Sequence, residues 1–221
     1  MRAIGLLGGS FDPLHTAHLA MADAFATALA LDEVRFLPAS QPWQKHGLLA
    51  TGAQREAMLA AALAHHRPPT GRYTIDSREL QRAGKTYTID TLEELRRELG
   101  FDVSLVFLFG ADQLVHLDTW KDWRSLWDHA HLAAATRPGF DVQALPHDVG
   151  HEWSARLGDA TALHSAASGR SYLLDHFAHD ISATDIRSAL AAGDATAIDV
   201  SSGLVPSAVL DYIRDYHLYR S

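Results

Sequence analysis

The sequence predicts an α/β fold: a mostly parallel, twisted sheet with helices on both faces, in a single domain spanning residues 1–221. Three observations carry that expectation. Apolar strand-like runs alternate with stretches of helical periodicity almost throughout, the pattern of parallel β-α-β units. With 221 residues, 47% of them hydrophobic, the chain can bury one substantial core. No internal repeat, low-complexity tract or linker divides it.

Taken in order, Ala3-Ile4-Gly5-Leu6-Leu7 reads as a first strand, followed by a glycine turn and a helix carrying Leu19, Ala22, Phe25 and Leu29. Val34–Leu37 reads as a second strand stopped by Pro38, and Ala39–Ala50 as a loop. Thr51 and Gln54 have capping-box spacing, so a helix should follow, with Met58, Leu59 and Leu63 on its face and Pro68-Pro69 ending it. Tyr73–Asp76 is a third strand candidate and Gly84–Thr88 a polar loop, with Asp90 expected to cap a helix closed by Gly100.

Val103–Phe109 is the most apolar run and the best candidate for a central parallel strand. Gly110-Ala111-Asp112 repeats the strand-to-turn-to-helix pattern. A helical turn with Leu126 and Trp127 and a strand over His131–Ala135 come next. Phe140–Arg170 has weak periodicity and reads as a variable or partly mobile, insertion-like segment. Tyr172–Leu174 is strand-like, Ile181–Arg187 opens a helix running to Ala192 and stopping at Gly193, and Pro206-Ser207 starts a last helix with Val209, Leu210, Ile213 and Tyr216.

Composition excludes several function classes. There is no cysteine, which removes disulfides, thiolate catalysis and thiolate metal sites. No apolar run approaches the roughly 18 residues that cross a bilayer, and Asp12 and His15 interrupt any signal-peptide pattern, so a cytoplasmic protein without membrane partners is expected. The formal net charge of −8 argues against a nucleic-acid partner but leaves room for a small anion bound by local cations and helix ends. Of the 14 histidines, most lie in no constellation.

The exception is Gly8-Gly9-Ser10-Phe11-Asp12-Pro13-Leu14-His15-Thr16-Ala17-His18-Leu19. A strand, a tight glycine turn and a helix start expose backbone N–H groups where the helix dipole favours an anion. His15 and His18, three apart, share one face of the first turn. The dinucleotide fingerprint and the P-loop are both absent. A metal site lacks an evident third ligand, and the bland alternative is two histidines that cap or pack the helix start.

The stretch resembles the GxFDPxHxGH signature of the nucleotidylyltransferase superfamily. Ile181-Ser182-Ala183-Thr184-Asp185-Ile186-Arg187 resembles that superfamily's second signature, in the expected order. Between them, Lys85-Thr86-Tyr87-Thr88, Phe109-Gly110-Ala111-Asp112, Thr119-Trp120-Lys121 and Ala133 through Arg137-Pro138-Gly139 are similar to motifs of bacterial nicotinate-nucleotide adenylyltransferases. The resemblance covers nearly the whole chain, with 140–170 the weak part.

The resemblance implies a Rossmann-like sheet and transfer of AMP from ATP to nicotinate mononucleotide, giving deamido-NAD and pyrophosphate without a covalent intermediate. It implies that Gly8, Gly9, Ser10 and Phe11 line the ATP site, the last two through backbone N–H groups, while Asp12 holds the turn. His15 and His18 contact phosphates, with His18 stabilising charge at the α-phosphate. Lys45 is the loop lysine that neutralises phosphate, and Ser182, Thr184 and Arg187 take the triphosphate tail.

On the mononucleotide side, Asp112 matches the acid that contacts the ribose, and Thr88 and Trp120 match the positions that recognise the ring. Backbone N–H groups near Thr88 and Lys121 read the carboxylate. Mg²⁺ is implied only through the ATP phosphates, with no protein metal site. Three residues depart from the pattern: Ala17 stands for the usual glycine, Gln44 for a histidine, and Lys121 where an aromatic residue is common. The competing readings are a pantetheine-phosphate or nicotinamide-mononucleotide enzyme, and a nucleotide sensor that has lost activity. A homo-oligomer leaves no signature and stays open.

Overall fold

The apolar runs at Arg2–Gly9 (β1) and Val103–Gly110 (β4) become the two middle strands of a parallel sheet in a computed structural model. The structure describes residues 1–40, 48–175, 177, 181–192 and 203–220. Glu33–Pro38 (β2), Arg72–Ile75 (β3), His131–Ala135 (β5) and Ser171–Leu174 (β6) complete the order β3-β2-β1-β4-β5-β6, every pairing parallel. A parallel sheet covered on both faces needs strands that are apolar at successive positions, which is why β1 and β4 lack strict alternation.

Register turns those runs into two cores. β1 pairs with β4 so that Leu6 faces Phe107 and Leu7 faces Leu108. Ala3, Leu7, Val106 and Leu108 point to one side, and Ile4, Leu6, Leu105 and Phe107 to the other. The first core is closed by α1 (Thr16–Ala28), α2 (Gly52–His65), α8 (Ala183–Ala191) and α9 (Ser207–Asp215), through Phe25, Met58, Ile186 and Val209 among others. The second is closed by α4 (Thr88–Leu99), α5 (Leu126–His129), α6 (His147–Ala155) and the 3₁₀ turns over Ala111–Thr119. α3 (Arg78–Gln81) and α7 (Ala160–Ser165) are short connectors. Helices therefore lie on both faces, as the sequence predicts.

Local signals explain most boundaries. Gln54 N–H donates to Thr51 Oγ1 at 3.3 Å and Thr51 N–H to Gln54 Oε1 at 2.8 Å, the reciprocal capping box that starts α2. Gly100, at φ +68°, closes α4 as expected, a conformation in which glycine has no Cβ to clash. The expected cap at Asp90 is corrected: the N-cap is Tyr87, three residues earlier, α4 begins at Thr88, and the Asp90 carboxylate accepts from Lys121 Nζ at 2.7 Å. α2 likewise stops at His65, before the two prolines. Gly193 lies outside the described residues.

Residues 140–170 hold a 3₁₀ turn at Val142–Ala144, then α6 and α7. Val149, Trp153 and Leu163 are fully buried. The segment supplies part of both cores, and its periodicity is faint because each helix is under ten residues long.

Buried polar side chains tie loops to the sheet. Arg96, 4% exposed, donates to the carbonyls of Gly100, Val103, His129 and Ala167 at 2.6–3.0 Å. His131, fully buried in β5, accepts from Arg170 N–H at Nδ1 and donates from Nε2 to Ala166 O, both at 3.0 Å. That pair of contacts fixes a neutral ring in one tautomer, and burial pushes its pKa down.

Candidate active site

The strand order reverses between β1 and β4, so a crevice opens at their carboxyl ends, where open α/β sheets bind ligands. A pocket of about 280 Å³ lies there. Its walls come from the end of β1 (Leu7, Gly8, Gly9, Ser10), the end of β4 (Phe107, Phe109, Gly110), α1 (His18, Met21) and the Thr86–Thr88 loop, with Ala39, Glu79, Gln113 and Trp120.

The glycine turn is shaped by close approach. A Cβ on Gly9 would lie 2.8 Å from ring carbons of Phe11, so glycine lets that ring fold back over the strand end. Phe11 is fully buried with φ +48°, a left-handed conformation that costs a non-glycine residue about 1 kcal/mol or more and has to be held by its surroundings.

What holds it is a set of charge-assisted hydrogen bonds. Arg55 Nη1, from α2, donates to Ser10 O at 2.7 Å, and Arg187 Nη1, from α8, donates to Asp12 O at 2.7 Å. The Asp12 carboxylate, 1% exposed, accepts from Leu49 N–H (2.9 Å), Ala50 N–H (3.1 Å) and the Tyr219 hydroxyl (2.6 Å). Burial pushes the Tyr219 phenol up, reinforced by Asp12, so it stays a donor. Burial pushes the Arg55 guanidinium down, with Asp12 and Tyr219 opposing the shift. Asp12 is thus committed to shaping the turn, as expected.

His15 caps α1 and is buried, and His18 sits one turn on, their rings stacked at 3.7 Å. His18 Nδ1 accepts from His15 N–H at 3.2 Å. A neutral ring that accepts at Nδ1 carries its proton on Nε2, the polarity needed to donate to a phosphate oxygen. Of the two imidazoles, His18 lines the pocket, with Phe11 set edge-on to it at 5.0 Å.

The second motif meets the first. Ser182 Oγ accepts from Thr184 N–H (3.2 Å) and Asp185 N–H (3.4 Å), capping α8. Arg187 Nη2 donates to Thr184 Oγ1 at 3.2 Å while Nη1 holds the opening turn. Residues 175 apart in sequence therefore touch, Arg187 against Asp12.

On the other side, Thr88 and Trp120 line the pocket, Trp120 edge-on to Phe107 at 6.0 Å. Asp112 is 65% exposed, off the pocket wall, and pairs with Arg137 at 3.4 Å, while its neighbour Gln113 faces the cavity. Lys121 turns outward to Asp90 and over the Tyr87 ring at 5.3 Å. Hydrogen bonding to Asp90 pushes its ammonium up. Lys45 and Gln44 lie outside the described residues. Thr86 joins the wall from the Lys85–Thr88 motif, whereas Gln113, Met21 and Glu79 do so without a motif to announce them; an acid followed by leucine in a short helix carries no spacing signal.

A family model described as cytidylyltransferase-like matches residues 6–189. A probable nicotinate-nucleotide adenylyltransferase of Herminiimonas arsenicoxydans is 46% identical over 222 residues, covering 100% of this chain and 98% of the relative. One of the same name from Chromobacterium violaceum is 48% identical over 219 residues, covering 98% of each. The chain belongs to this family of nicotinate-nucleotide adenylyltransferases. The Plasmodium falciparum nicotinic acid mononucleotide adenylyltransferase complexed with NaAD matches 99% of this chain and 98% of its own, with a TM-score of 0.72 at 17% identity, a likeness of fold. No helix among the described residues is long and apolar enough to cross a membrane.

Proposed function

We propose that this chain transfers the adenylyl group of ATP to nicotinate mononucleotide, releasing pyrophosphate and forming deamido-NAD. The observation that carries the reading is the contact between Arg187 and Asp12, which joins the two phosphate-binding motifs beside one pocket at the sheet's switch point.

The chemistry asks little of the protein beyond placement and charge. The nucleophile is a phosphate monoester whose second pKa is about 6, so it is ionised near neutrality without a general base. One of its oxygens bonds to the α-phosphorus in line as the bond to the β-phosphate bridge breaks, and the electron pair leaves with pyrophosphate. His18 Nε2–H donates to an α-phosphate oxygen, stabilising charge as it builds. His15 supports His18 by stacking and by the hydrogen bond that fixes its tautomer. Arg187 and Lys45 neutralise the triphosphate tail and Ser182 and Thr184 offer it hydrogen bonds, while Gly8 and Gly9 line the ATP site and Ser10 and Phe11 present backbone N–H groups.

Thr88, Trp120, Asp112 and the backbone around Lys121 take the mononucleotide. A carboxylate only accepts hydrogen bonds, so a lining of donors prefers nicotinate over nicotinamide. Both Asp12 oxygens are occupied by N–H and O–H donors, so the turn offers cations and amides rather than metal ligands. That fits Mg²⁺ carried by the ATP phosphates, where it would supply further charge neutralisation on the leaving group. We take residues 1–221 as one catalytic unit working in the cytoplasm.

Purified protein with ATP, Mg²⁺ and either mononucleotide, followed by pyrophosphate release, tests the reading. Turnover of the acid form is expected. Absence of turnover with both forms would overturn it.

A further inference from the structure

The pocket contains a buried carboxylate for which the reaction above has no task. Glu79, on α3, is 8% exposed and is the one carboxylate among the described residues lining the pocket. It is held firmly: Thr91 Oγ1 donates to Glu79 Oε1 at 2.8 Å, Thr86 also hydrogen-bonds it, and Arg82 reaches the same Thr91 hydroxyl at 3.1 Å. Burial raises its pKa, while Thr91 and Arg82 oppose that rise. Ionising a side chain so far from solvent is costly unless something gains from the charge.

Nicotinate mononucleotide supplies a gain. Its ring nitrogen is quaternary, so the ring is a permanent cation whose countercharges are the phosphate at one end and the ring carboxylate at the other. The pocket can mirror that distribution: His18 lines it from the glycine-turn motif, and Glu79, hydrogen-bonded to Thr86 and Thr91, lines it together with Thr88 and Trp120, the residues proposed to take the mononucleotide. We infer that Glu79 is a specificity-determining residue that selects the positively charged pyridinium ring of the mononucleotide. A low-dielectric wall strengthens such an attraction relative to water. It also disfavours any facing of the ring that sets the nicotinate carboxylate against Glu79, since like charges repel.

This inference rests on the adenylyl-transfer reading, and a ring-charge comparison separates the two. The probes are nicotinate mononucleotide and its 1,4-dihydro form, which keeps phosphate, ribose and carboxylate but has an uncharged ring. Binding of each would be measured calorimetrically to the unmodified chain and to Glu79→Gln, which keeps the shape and the acceptor for Thr91. The KM for ATP would be recorded alongside. The unmodified chain should favour the cationic ring at least tenfold, and Glu79→Gln should shrink that ratio at least fivefold with the KM for ATP within twofold. Glu79→Asp, which retains the charge but withdraws it, should fall between them and stands in if the glutamine variant does not fold. An unchanged ratio, or equal weakening of both probes, would overturn the role of Glu79 while leaving adenylyl transfer standing. Loss of pyrophosphate release from the unmodified chain would overturn adenylyl transfer itself.

Discussion

His18 and Tyr219 contribute to the same turn in different ways, and single substitutions should separate them. His18→Ala removes the Nε2 donor set by the 3.2 Å contact to His15 N–H. We expect kcat to fall by about 10² or more with stability little changed, because the lost interaction belongs to the transition state. Retained turnover would return His18 to packing. Tyr219→Phe deletes a buried hydroxyl bonded at 2.6 Å to Asp12 Oδ1. The expected cost is about 1.5–3 kcal/mol in urea unfolding, since the acceptor is charged and loses a partner. The pairing of the two histidines at the start of α1 was legible from their spacing. Tyr219 was not, because its partner is 207 residues away and nothing in the C-terminal residues signals a donor.

At the scale of elements, β5 and the segment after α7 are pinned by His131, whose neutral ring uses both nitrogens. Burial depresses its folded pKa below the ordinary histidine value of about 6.5. Below pH 6.5 the unfolded chain takes up a proton that the native ring refuses, so stability falls with falling pH until the depressed folded pKa is reached. The slope has an upper limit of about 1.4 kcal/mol per pH unit. Thermal unfolding of the native chain and of His131→Gln across pH 8 to 5 checks this. The variant should be less stable at pH 8 and should lose less on acidification. Arg96 staples four carbonyls, and Arg96→Ala leaves them without their donor, so a loss of about 3 kcal/mol or more is expected on denaturant unfolding.

The elements themselves were readable where a local rule governs them: Thr51 with Gln54 for α2, and the unbroken apolar run for β4. Residues 140–170 resisted because α6 and α7 are short and owe their place to burying Trp153 and Leu163 against distant strands. Asp90 was misplaced because Tyr87, which has no capping side-chain bond, nonetheless occupies the N-cap, and tertiary packing set the boundary.

For the whole molecule, topology does what no single motif can. The order β3-β2-β1-β4-β5-β6 brings the carboxyl ends of β1 and β4 side by side, and the return of α8 lays Arg187 on the turn that β1 feeds. Both motifs were legible, but their contact was not, since it depends on how the intervening 160 or so residues fold. Glu79 is invisible for the same reason: only the fold turns it into a pocket wall. Side-chain placement also divides the residues expected from the resemblance to meet the mononucleotide, with Thr88 and Trp120 on the wall and Asp112 and Lys121 paired outside it. The most direct measurement is steady-state pyrophosphate release by the purified chain with ATP and Mg²⁺, comparing nicotinate with nicotinamide mononucleotide. The expected result is turnover with a higher kcat/KM for the acid. No turnover with either, or a preference for the amide, would contradict it.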